Sequence, residues 1–112
     1  MSYDIYLDAT VDTGGAEPFS VRLYSGNVTY NVFKMYAEAG CRDALKAATD
    51  KKASELIEPL ESGLAAMRAD PDKYKALNPS NGWGSYEGAM KFLDELIAAC
   101  RAHPKATIGT WQ

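Results

Sequence analysis

The sequence predicts an α+β domain in which an antiparallel hairpin, joined by a C-terminal strand, packs against about three helices. Three observations carry that expectation. Apolar residues alternate with polar ones through the first dozen positions, the last third of the chain repeats apolar residues at helical spacing, and the tail "ATIGTW" combines β-branched residues with an aromatic.

The first strand, over about 3–12, places Tyr3, Ile5, Leu7, Ala9 and Val11 on one side and Asp4, Tyr6, Asp8, Thr10 and Asp12 on the other. A period of two means one dry face and one wet face. "TGGAEP" supplies the turn, because Gly14 and Gly15 tolerate positive φ and Pro18 can open a strand but not sit inside one. The second strand, over about 18–24, is expected to put Phe19, Val21 and Leu23 on the dry side and Ser20, Arg22 and Tyr24 on the wet side. Aspartates four apart on a strand stand about 13 Å apart, too far to share one cation, so the acidic row reads as a solvated face.

Helices follow. The first is expected over about 28–39, with Asn27 or Thr29 as N-cap, Val32, Phe33, Tyr36 and Ala39 (or Met35) as its apolar stripe, and Gly40 as its stop. The second, over about 51–68, carries Ala53, Leu56, Ile57, Leu60, Leu64 and Met67 on one face; Pro59 implies either a kink or a start there. "ADPDKY" is expected to end it in a polar loop. The third, over about 85–102, has the strongest period, through Tyr86, Ala89, Met90, Leu93, Leu96, Ile97 and Cys100, with Ser85 placed to cap it. The last strand is expected over about 106–111.

A chain of 112 residues should form one domain, burying roughly two-thirds of its unfolded surface. With 46% hydrophobic and 24% charged residues, its composition is that of a globular protein. The net charge of −3 argues against non-specific nucleic-acid binding, which needs a dense basic surface. The acidic start "MSYDIYLD" is no secretory signal, and no segment approaches the roughly 20 apolar residues of a membrane span, which points to a cytoplasmic protein. Cys41 and Cys100 fall among helical apolar residues and read as small buried hydrophobes rather than a disulfide.

No catalytic constellation emerges. The single histidine, His103, sits beside Pro104 at a helix end, where a positive ring suits the dipole. There is no Cys-x-x-Cys, histidine pair, calcium loop or phosphate loop, so neither metal nor cofactor is expected, and a non-enzymatic role is.

The candidate binding residues lie in two asparagine-rich stretches, "NVTYN" and "NPSNGWGSY". In the second, the Asn81–Gly82 pair tolerates positive φ, Pro79 restrains Asn78, and Gly84 lets the chain turn into the helix capped by Ser85. Those roles leave Trp83 unexplained: it either plugs the end of the core or stands on the surface as an anchor for a partner or a base. Asn27 and Asn31, four apart, would share a helix face and together present polar edges to a ligand. The candidates are therefore Asn27, Thr29, Asn31, Asn78, Asn81, Trp83 and Tyr86.

An N-terminal "YDIYL" strand, "NVTYN" at a helix start, a mid-chain helix carrying a proline, and "NP-x-NGWG-x-Y" before the last helix together resemble a group of small uncharacterised proteins encoded by bacteriophages and prophages. The resemblance covers most of the chain apart from Cys41 to Lys52. It implies a small accessory protein made inside a bacterial cell, and it brings no catalytic residues. Asn27, Thr29, Asn31, Asn78, Asn81, Gly82, Trp83 and Gly84 match the group's motifs. The expected function is a protein-interaction module acting on a host protein. A nucleotide-like small ligand is the second expectation, and a self-associating structural component is the third.

Overall fold

The computed structural model describes all residues, 1–112. Three strands, β1 (Ser2–Val11), β2 (Phe19–Thr29) and β3 (Thr107–Trp111), form an antiparallel sheet in the order β2-β1-β3. Helices α1 (Phe33–Ala39), α2 (Arg42–Lys46), α3 (Ser54–Ala69), α4 (Pro71–Lys75) and α5 (Tyr86–Ala102) accompany it, so the fold is α+β.

Tyr3, Ile5 and Leu7 are fully buried, as the alternation in β1 requires, and Ile108 joins them from β3. α5 packs along β2 and against α3, which in turn meets α1. Tyr3, Phe33, Tyr36 and Phe92 form an aromatic chain through this core, with Tyr3–Phe33 and Phe33–Tyr36 centroids 5.3 Å apart. Three buried tyrosines each find a carbonyl for the hydroxyl: Tyr3 donates to Leu45, Tyr36 to Ala89 and Tyr86 to Met67. Leu45 and Met67 lie in the last turns of α2 and α3, where carbonyls lack helical partners.

The expected second strand and first helix are corrected together. β2 does not stop at Tyr24 but runs to Thr29, so Asn27 lies on a strand and shares no helix face with Asn31. Leu7 pairs with Tyr24 and Asp8 with Arg22, leaving Leu23 as the extra residue of a bulge. An inserted residue reverses which face every later side chain takes. Tyr24, Gly26 and Val28 therefore share the core side with Leu7, Ile5 and Tyr3, while Ser25 and Asn27 turn outward. Tyr24, expected on the wet face, packs against the core, and Phe19, Val21 and Leu23, expected to be dry, are exposed. A 3-10 turn over Tyr30–Val32, capped by the Thr29 hydroxyl, leads into α1, and Gly40 closes that helix at φ 86°.

α3 runs uninterrupted through Pro59 from Ser54, and "ADPDKY" is not a loop. Asp70 caps a short helix there, Pro71 occupies its first turn and Tyr74 is buried. The chain before α3 covers the free edge of β3: the Asp50 amide donates to the Ile108 carbonyl and the Ile108 amide to the Lys51 carbonyl, both at 2.8 Å. The outer edge of β2 stays open.

The molecule measures 54 × 26 × 18 Å, with a Cα radius of gyration of 15.1 Å. A compact chain of this length would give about 13 Å. The excess arises from the distal half of the β1–β2 hairpin, which extends past the helices. No helix is long and apolar enough to cross a membrane.

Candidate functional site

The side of the sheet facing away from the helices carries Asp4, Tyr6, Asp8, Asn27, Thr107 and Trp111. Across it, Asn27 pairs with Asp4 and Asp4 with Trp111, so these three side chains form one row. The Asn27 amide group donates to the Asp4 carboxylate. In the next rows Arg22 donates to both Asp8 oxygens, at 3.1 and 3.4 Å, and its guanidinium lies 3.9 Å from the centre of the Tyr6 ring. The Asp8 carboxylate accepting from it raises the Arg22 pKa. Two neighbours thus hold the arginine, giving a fixed, aromatic and amphipathic surface.

The loop between α4 and α5 meets this surface at its Ser2–Thr29 end. Gly84 has φ 109°, and a Cβ there would stand 2.8 Å from both Thr29 Cγ2 and Val32 Cγ1. Its bare backbone lets the loop press on the end of β2 and the 3-10 turn. That contact brings the two asparagine-rich stretches together. Met1, Ser2, Asn27, Thr29, Asn31, Asn81 and Trp83 line one open depression of about 680 Å³.

Within it, the Asn81 side-chain oxygen accepts from the Trp83 amide at 2.9 Å, a local turn that sets the indole's direction. Trp83 is 72% exposed and does not plug the core. The Asn31 side chain has no hydrogen-bond partner within the chain, and Thr29 is engaged in capping.

Two candidates go elsewhere. The Asn78 side-chain oxygen accepts from the Tyr86 amide at 2.9 Å, while Ser85 Oγ accepts from the Gly88 amide at 3.0 Å, so both serve the free amides opening α5. Tyr86 is buried and its hydroxyl is bound to Met67. Neither reaches the depression.

Sequence reasoning missed Trp111, also 72% exposed. Its signal was present: with Ile108 directed inward, alternation turns Thr107, Gly109 and Trp111 outward. The Tyr6 ring lies beside Gly109, where a Cβ would meet it at 3.8 Å.

No group of three or more His, Cys, Asp or Glu side chains converges anywhere in the chain. Cys41 and Cys100 are free and buried, and burial pushes both thiols up to about 11, which leaves them poor nucleophiles. Fold and surface define a two-layer α+β domain with one helix-covered sheet face and one exposed face that bears Trp111 and fixed polar partners and is bordered, at its Ser2–Thr29 end, by the loop carrying Trp83. No protein-family model, curated protein or solved structure matches the chain.

Proposed function

We propose that this protein is a non-catalytic interaction module that docks a protein partner on the uncovered face of its sheet, with Trp83 and Trp111 as anchors. The observation that carries the reading is the pair of tryptophans, each 72% exposed, beside the Asn27–Asp4–Trp111 row. Large aromatics cost little conformational entropy to immobilise and dominate interface energetics, whereas monomer surfaces rarely leave them uncovered. Asn27, Asp4, Asp8 and Arg22 already have partners within the chain, so docking over them does not strand them, and the free Asn31 side chain is left to meet a polar group of the partner. The phage-type resemblance of the motifs supports a bacterial host protein as the partner, met in the cytoplasm.

A nucleotide-like ligand is the competing reading, favoured by the free Asn31 amide near Trp83. The depression is open and only Met1 and Trp83 among its lining residues are apolar, whereas small-molecule sites enclose most of their ligand. That difference ranks the protein partner first.

The test is photo-crosslinking from a reactive residue at the neighbouring exposed position 80, with recovery compared between the otherwise unchanged chain and its Trp83→Ala and Trp111→Ala variants. One host protein crosslinked by the otherwise unchanged chain and lost with both folded variants supports the module. Thermal stabilisation by nucleotides without a crosslinked protein would replace it with the ligand reading.

A further inference from the structure

The distal hairpin has an apolar side with nothing on it. Ala9 and Val11 pair with Val21 and Phe19 on the side that, nearer the body, faces the helices. Phe19 is 53% exposed, and Val21 and Leu23 are 39% exposed each. A two-stranded ribbon is marginal in water until such a face is covered.

α5 ends beside the root of the ribbon and leaves a notch of about 460 Å³, whose walls include Asp8, Ala9, Leu23, Lys52, His103 and Lys105; Asp8 is already paired with Arg22, so the two lysines set the sign of the notch. The tip of the ribbon carries Asp12 and Glu17. None of Asp12, Glu17, Lys52 and Lys105 has an ion-pair partner within the chain.

We infer that a second copy of this chain covers the ribbon in a two-fold antiparallel dimer, with Asp12 and Glu17 of each copy seated in the Lys52–Lys105 notch of the other. Charge complementarity between acidic tip and basic notch selects this occupant, because one chain supplies both halves. Reach agrees. Leu23 to Phe19 spans four residues, about 13 Å, and so does Asp8 in the notch wall to Asp12 at the tip. Laying Phe19 of one copy over Leu23 of the other therefore brings each tip to the opposite notch. The contact is isologous and closes on itself. Its apolar strip is short, so the dimer is reversible. Edge-to-edge pairing of β2 would instead leave Phe19 and Val21 in water and all four charges unmatched. The dimer leaves the two proposed anchors, Trp83 and Trp111, free, because neither lines the notch; the two surfaces meet only at Asp8 and Thr107, on the rim of the notch.

Sedimentation velocity from low to high micromolar concentration tests it. The wild type is expected to shift reversibly from one to two chains, more weakly at high salt. Phe19→Asp, which alters an exposed residue outside the core, is expected to raise the dissociation constant about tenfold or more, with circular dichroism unchanged. Two charge-reversed variants, Lys52→Glu/Lys105→Glu and Asp12→Lys/Glu17→Lys, should each dimerise poorly alone and form a mixed dimer together. Trp83→Ala should leave the dimer intact. A single-chain mass at every concentration, a dimer indifferent to Phe19→Asp, or no mixed dimer from the reversed pair would each overturn the inference.

Discussion

The Tyr86 hydroxyl donates to the Met67 carbonyl at 2.7 Å, joining the first turn of α5 to the last turn of α3. The amide of the same residue is held by Asn78, so one tyrosine ties both helices to the loop that precedes it. Tyr86→Phe keeps the packing but strands a buried carbonyl, at a cost of about 1–3 kcal/mol. Asn78→Ala removes an accepting group at the helix start and should cost about 1 kcal/mol. Urea denaturation of the two variants measures both, and a cost near zero for Tyr86→Phe would show that water replaces the hydroxyl.

Trp83 behaves in the opposite way. Because its indole stands on the surface, Trp83→Ala should change stability by no more than about 0.5 kcal/mol. With Trp111 equally exposed, acrylamide should quench most of the native tryptophan fluorescence, and unfolding should shift the emission only slightly. A melting temperature lowered by many degrees in Trp83→Ala would return that residue to the core.

Gly84 links fold and site. Its φ of 109° is strained for any side chain, and a Cβ would meet Thr29 and Val32 at 2.8 Å, so Gly84→Ala should cost about 1–3 kcal/mol and lift the loop off β2. Nuclear magnetic resonance shifts at Asn31 and Asn27 would report that movement. Unchanged shifts at both positions would mean that the two asparagine-rich stretches do not depend on this contact.

What the sequence disclosed follows the range of each interaction. The faces of β1 and the core stripe of α5 were legible because each depends on neighbours within a few residues, although Phe92 went unnoticed beside the stripe. The outward turn of Asn27 was not legible, since it depends on an extra residue at Leu23 that exists only in the pairing of two strands. α4 was hidden because five residues opened by a proline resemble a loop until the burial of Tyr74 is seen. The apolar alternation of Phe19, Val21 and Leu23 was visible, but periodicity cannot say whether anything covers a face. Asn27, Asn31, Asn81 and Trp83 were legible as residue types. Their meeting rests on Gly84 touching residues more than fifty positions away.

The two thiols make stability depend on pH. Burial raises Cys41 and Cys100 from an ordinary 9.0 to about 11, so in alkali the unfolded chain releases these protons before the folded one does. A raised folded pKa contributes stability that is complete below pH 9 and is lost as pH climbs from 9 through 11. Burial also raises the Tyr3 and Tyr36 hydroxyls above their usual 10.0, which steepens the loss above pH 10. Four groups acting in one direction make the decline on the order of 5 kcal/mol or more by pH 11. Urea midpoints should therefore be level from pH 7 to pH 8.5 and fall beyond pH 9. Cys41→Ala/Cys100→Ala, although destabilised by the cavities it leaves, should show a shallower decline that begins nearer pH 10. The same burial predicts that iodoacetamide leaves both cysteines of the folded protein unmodified at pH 8 and alkylates them rapidly in urea. Fast alkylation without urea would mean that the α1–α3 and α5–β2 contacts open far more readily than a packed core should.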